Sequence, residues 1–261
     1  MQLFGSLDLL SPTQVAELTL SFGALNGTSQ MIRVFNRLET GDAFTNVDVF
    51  LTALTSQGPY LLLPLSVQGL SDVSGNIPEN NKQGLAAVLV AYLKQSLQQV
   101  NQPACRLNNQ TDANWVSKNF GKLSGYVSYL DLTQFNISGL GSLDLLSPTQ
   151  VAELTLSSGA LNSTIQMIRV FNRLETGDAF TNVDVFLTAL TSQGTVNITP
   201  SVRDFMMNQT FKIISVHFPE FETSTWISWF TGNLIPLLPS ITSEMLTITI
   251  SNISCTNYEV M

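Results

Sequence analysis

Histidine occurs once in this chain, as His217, and cysteine twice, as Cys105 and Cys255. Any Ser–His–Asp or Cys–His arrangement would have to be built on His217, and nothing beside it resembles a nucleophile elbow. Near the end of a predicted helix, that imidazole reads as structural, where its protonated form complements the helix dipole. The two cysteines match neither a C-x-x-C motif nor a metal-ligand spacing. Disulfide-competent extracellular cysteines and ordinary buried thiols both stay open. Charge is scarce as well: Asp, Glu, Lys and Arg make up 11% of the residues, against about 25% in an average soluble domain.

Positive charge is the scarcer sign, with 11 Lys and Arg against 19 Asp and Glu and a net charge of −8. No basic run is present, which excludes nucleic-acid binding through displaced counterions. The pairs Arg33/Arg37 and Arg169/Arg173 lie one helical turn apart and read as solvated surface. The acidic residues form no calcium loop: Asp42, Asp48, Asp178 and Asp184 have the wrong spacing, and Glu220/Glu222 is one short pair. Gly139, Gly141 and Asp144 lack the third glycine and the preceding strand of a dinucleotide loop, and no P-loop occurs. No stretch reaches about 18 apolar residues without interruption, so no spanning helix is expected. Leu61 to Leu65 is short and holds Pro64. The apolar region 226–250 is broken by Gly232, Asn233, Pro236, Pro239 and Glu244. The first residues show no basic, apolar or cleavage region of a leader. No catalytic, cofactor-binding or metal-binding residue is assigned, and the chain is expected not to be an enzyme.

What is present is a repeat. Gly5 to Gly58 recurs as Gly141 to Gly194, with differences at Phe22/Ser158, Gly27/Ser163 and Ser29/Ile165. The organisation is therefore a first copy (1–58), an intervening segment (59–140), a second copy (141–194) and a C-terminal segment (195–261), read as one continuous repeat domain. With the copy called A, residues 59–140 C and residues 195–261 B, the order A–C–A–B suggests a piece of a longer A–B–C array. In that parent order a Cys255-type residue would precede a Cys105-type residue and bridge to it. Cys105 and Cys255 of this chain are then expected not to pair with each other.

The copy reads as three short helices. Ser11 as N-cap, Pro12 at N1 and Gln14 as capping-box partner open the first. Val15 and Leu18 with the Phe22/Leu25 pair, then Met31, Val34, Phe35 and Leu38, then Val47, Phe50, Leu51 and Leu54 supply apolar stripes of helical period. Gly58 is the expected stop. Segment C carries a helix over about Glu79 to Gln99 with Leu85, Val88, Leu89, Tyr92, Leu93 and Leu97 on one face. Asp112 is expected to cap the next, with Trp115, Val116 and Phe120. In B, Thr199 and Pro200 open a helix to about Val216, Thr223 or Ser224 a second, and a last one spans about Ser243 to Ile250 despite its β-prone end. Trp226, Trp229 and Phe230, at i, i+3, i+4, fit core packing better than an adhesive patch. The fold class is all-α: an armadillo/HEAT-like α-solenoid or irregular superhelix, or a compact bundle of two pseudo-equivalent halves.

Seven N-x-Ser/Thr sequons occur, at Asn26, Asn109, Asn136, Asn162, Asn197, Asn208 and Asn252. Asn26 and Asn162 fall at helix–helix turns where a glycan can project, and Pro200 disfavours use of Asn197. Glycans would supply the solubility that Glu and Lys usually provide on helical surfaces.

Helices opened by Leu-Ser-Pro and followed by Leu-rich turns such as Leu237-Leu238-Pro239-Ser240-Ile241-Thr242 resemble the mesothelin, stereocilin and otoancorin group. The run Ile253-Ser254-Cys255-Thr256-Asn257-Tyr258 is similar to an element of repeat arrays in fish. The resemblance covers most of the chain and rests on pattern. It implies an extracellular, glycosylated and often membrane-attached protein with an armadillo-like superhelix and a role in adhesion or matrix organisation. Its partner would be a protein or glycan on the cell surface or in the matrix. The chain departs from that group in showing no leader or anchor signal. An intracellular armadillo/HEAT-type scaffold in the cytoplasm is the alternative.

Overall fold

The structure, a computed structural model, describes residues 10–21, 28–38, 43–57, 67, 77–100, 110–137, 139–192 and 194–254. The fold is all-α, with no strand among the described residues. The chain divides into two compact units, Met1–Ile137 and Ser138–Met261, and each contains one copy of the duplicated segment.

In the first unit the helices are α1 (Pro12–Ser21), α2 (Thr28–Leu38), α3 (Ala43–Gln57), α4 (Glu79–Val100), α5 (Asp112–Phe120) and α6 (Tyr129–Thr133), with a 3₁₀ turn at Gly121–Tyr126. The second unit opens with a 3₁₀ turn, Leu140–Leu145, followed by α7 (Pro148–Ser158), a short turn at Ala160–Asn162, α8 (Thr164–Leu174), α9 (Ala179–Ser192) and α10 (Pro200–Ile214). It closes with a 3₁₀ turn at Ser215–Glu220, α11 (Thr223–Ser228), a π turn at Trp229–Asn233, a turn at Leu238–Ser240 and α12 (Ser243–Asn252).

The two copies fold alike because their local signals are complete. Ser11 and Gln14 form the reciprocal capping box, with Ser11 N donating to Gln14 Oε1 at 2.9 Å and Gln14 N to Ser11 Oγ at 3.3 Å. Ser147 and Gln150 repeat it at 2.8 and 3.4 Å. The first and third helices of each copy pack together (α1 on α3, α7 on α9), and the second helix adds an edge-to-face ring pair. Phe35 and Phe50 lie 5.6 Å apart and Phe171 and Phe186 6.2 Å apart. Asn46 Nδ2 donates to the Leu38 carbonyl at 3.0 Å, and Asn182 Nδ2 to that of Leu174 at the same distance. Both amides satisfy a carbonyl left orphaned at a helix end. Of the two equivalent stops, Gly58 lies outside the described residues, while Gly194 has φ +97° beyond α9, a value that favours glycine. The environments diverge in burial: Leu154 and Gln150 are buried, whereas their counterparts Leu18 and Gln14 are half-buried and exposed.

Beyond the copies the expected helices form, with local corrections. Thr111, not Asp112, caps α5, its hydroxyl accepting from Asn114 N at 3.2 Å, and Asp112 becomes the first helical residue, favoured there by the dipole. On α4 the buried face is Leu85, Ala86, Leu89, Val90, Tyr92 and Leu93, and Val88 is only half-buried. The β-prone end of α12 is helical. Thr242 caps it through Met245 N, and the hydroxyls of Thr247 and Thr249 donate to the carbonyls of Ser243 and Met245 at 2.8 and 2.9 Å, so their polar groups are satisfied inside the helix. Trp115, Phe120 and Phe135 form the aromatic core of the first unit, with centroids 5.1 to 6.1 Å apart. Phe211, Phe218, Phe221, Trp226 and Phe230 form that of the second.

Arg37, Arg169 and Arg173 are not simply solvated, while Arg33 is exposed as expected. Arg173 donates from Nε to the Leu143 carbonyl at 3.1 Å and from Nη2 to that of Leu146 at 2.6 Å, and Arg169 Nη2 reaches the Leu140 carbonyl at 2.9 Å. Arg37 Nη2 makes the equivalent contact to Leu10 O at 3.4 Å. A guanidinium fork supplies several donors at once, and here it ties α8 to the carbonyls of the turn that precedes α7.

Candidate glycan-bearing surface

The sequence assigns no catalytic centre, so the functional candidates are the sequons. Five of the seven asparagines fall among the described residues, and all five are exposed. Asn136 follows α6 at φ +59°, a left-handed conformation that asparagine tolerates better than most residues. Asn162 ends the short turn between α7 and α8, Asn197 lies in the connection to α10, Asn208 sits within α10, and Asn252 is the last residue of α12. Asn26, Asn109, Cys105 and Cys255 lie outside the described residues, as does the expected absence of a bridge between the two cysteines.

The hydroxyl residues of these sequons differ more than the asparagines do. Thr210 is fully buried and its Oγ1 has no hydrogen-bond partner. Thr199, expected to cap α10 with its side chain, instead donates both N and Oγ1 to the Leu161 carbonyl, at 3.1 and 3.2 Å. Asn252 Nδ2 donates to the Ile248 carbonyl at 2.9 Å. Burial of Thr210 has a sequence signal, because Val202, Met206, Thr210 and Ile214 recur every fourth residue on one helix face.

His217 sits against Phe180, with ring centroids 4.5 Å apart, and its Nδ1 lies 3.5 Å from Glu220 Oε2. Asp178 is held below the usual carboxylate range by hydrogen bonds from the Thr181 hydroxyl and amide, with a smaller contribution from His217. The neighbours of the imidazole are thus a ring and carboxylates.

A buried polar link escaped the sequence reading. Asn233, 5% exposed, donates from Nδ2 to Asp184 Oδ1 at 2.7 Å and accepts from the Thr188 hydroxyl at 3.1 Å. Partial burial raises the Asp184 pKa, and the Asn233 hydrogen bond opposes that only in part. The π turn accounts for the placement: Leu234 N bonds to Trp229 O at 2.8 Å, five residues back, and the extra residue turns Asn233 toward α9. In the first unit Asp131 is held below the usual range: burial pushes it up, but hydrogen bonds from Lys94 and Ser128 outweigh burial. Trp226 and Trp229 are 1% exposed and belong to the core.

Among the described residues no three His, Cys, Asp or Glu side chains gather as a metal-ion site, and no helix is long and apolar enough to cross a membrane. Compared with protein-family models, curated proteins and solved structures, the chain matches none.

Proposed function

We propose that this chain is a segment of an extracellular or cell-surface helical-repeat glycoprotein that acts without catalysis, in adhesion or matrix organisation. The mesothelin, stereocilin and otoancorin group is its proposed kin, with an armadillo-like superhelix as the proposed path of the longer array. One observation carries the reading: every described sequon asparagine is exposed, at five separate places along the chain. A surface that carries few charges and many Ser, Thr, Asn and Gln side chains gains from glycans the hydration that Glu and Lys otherwise provide. The partner would be a protein or glycan on the cell surface or in the matrix, engaged through the same outer faces.

The test is the intact mass of the chain secreted from eukaryotic cells behind an added leader, before and after enzymatic removal of N-glycans. A mass drop on a soluble, helical product supports the reading. Retention inside the cell, or a folded secreted product without glycan, transfers the assignment to an intracellular armadillo/HEAT-type scaffold.

A further inference from the structure

N-glycosylation needs the Asn carboxamide and the hydroxyl two residues on to be reachable together. In the folded chain three described sequons fail that requirement. At Asn208 the hydroxyl of Thr210 is sealed in the core. At Asn197 the Thr199 hydroxyl and amide are both tied to Leu161 O. At Asn252 the carboxamide nitrogen is committed to Ile248 O within α12. Asn136 is followed by fully buried Ile137, which anchors the middle of its tripeptide.

Asn162 differs on every count. It is exposed, and neither its carboxamide nor the Thr164 hydroxyl bonds to another described residue. The Ser163 side chain takes part only in a long 3.5 Å contact from Gln166 N. Leu161 O, held by Thr199, fixes the turn from its inner side. Ile165, three residues on, is 76% exposed, so no packed neighbour stands over this corner. Gly159, with φ +77°, terminates α7 and swings the chain out at the turn.

We infer that Asn162 is the N-glycan acceptor among the described sequons of the folded chain, and that the fold closes Asn197, Asn208 and Asn252. In the transfer, Asn162 Nδ2 forms a bond to the anomeric carbon of a polyprenyl-pyrophosphate-linked oligosaccharide. The bond from that carbon to the pyrophosphate oxygen breaks, the pyrophosphate leaves with the electron pair, and one Nδ2 proton passes to a base of the transferase. The physiological weight of this site rests on the secretory reading above; its accessibility does not.

The experiment separates the two. Folded, unglycosylated full-length chain is incubated with a purified single-subunit oligosaccharyltransferase and lipid-linked oligosaccharide, in parallel with the same chain unfolded in mild denaturant. Occupancy is read per site by mass spectrometry after deglycosylation in heavy-oxygen water. The folded-to-unfolded rate ratio at Asn162 should exceed that at Asn208 and Asn252 by at least about tenfold, because the latter two require local opening first. Asn162→Gln should remove the glycan from the 162–164 tripeptide and leave Asn197, Asn208 and Asn252 as unmodified as before in the folded chain. Equal ratios at Asn162 and Asn208, or a folded chain blank at Asn162 while the unfolded one is modified there, overturn the inference. Modification of Asn162 in this assay together with a glycan-free secreted product would leave the inference standing and sink the proposed function.

Discussion

Thr210 carries two consequences at the scale of one side chain. Its hydroxyl is buried without a partner, and a buried unsatisfied hydroxyl costs about 1–3 kcal/mol. Thr210→Val keeps the β-branched shape, so it should stabilise the second unit by about 1 kcal/mol, read as a higher urea midpoint with unchanged slope; a loss of stability would show that Oγ1 has a partner after all. Asp184 gives the pH-dependent counterpart. Burial raises its folded pKa above the unfolded value, so its contribution favours folding below the unfolded pKa and is lost as pH rises through the folded one. Asp184→Asn retains an acceptor for Asn233 Nδ2 and should therefore be neutral to stabilising at pH 7 relative to wild type. That advantage should shrink as pH falls into the carboxylate range. Paired denaturation midpoints at neutral and acid pH measure it, and a variant whose relative stability worsens toward neutral pH contradicts the argument.

At the scale of elements, helix ends matter more than helix interiors. Ser147→Ala removes the reciprocal cap of α7 and should cost about 1 kcal/mol. Arg173 holds two carbonyls of the preceding turn from a different helix. Its replacement by Ala should cost about 2 kcal/mol, since hydrogen bonds from a charged donor are the stronger kind. Arg173→Lys should recover less than half of that, because an ammonium cannot span both carbonyls as the planar fork does. Thermal melts of the three variants decide it; full rescue by lysine would mean that charge, not geometry, does the holding. The helices themselves were legible in advance: capping boxes and apolar stripes act within a few residues, so α1 and α7, α2 and α8, α3 and α9 follow from spacing. The cap of α5 falls on Thr111, one residue before Asp112, because Thr and Asp compete for the same position.

For the whole molecule, the second unit has its own aromatic core around Phe218, Trp226 and Trp229, each about 1% exposed. A fragment of residues 138–261 should therefore fold cooperatively by itself, with helical circular dichroism and a single sigmoidal melt. Phe186→Ala in that fragment should remove about 3–5 kcal/mol by leaving a cavity beside Phe171. A broad, non-cooperative melt of the unmodified fragment would show that the second unit depends on the rest of the chain.

Helix positions, the all-α class and the duplication could be read from residue order, because each rests on interactions within one or two turns. Three features could not. The Arg173 bonds to Leu143 and Leu146 span 30 and 27 residues, the Asn233–Asp184 link spans 49, and the Thr199–Leu161 bonds that close one sequon and brace another span 38. Which sequons stay open is a property of these long-range pairings and of which helix face the core takes. The five described sequons, alike in their asparagine and hydroxyl residue, are made unequal by packing, since burial and a committed donor depend on neighbours that arrive from far along the sequence.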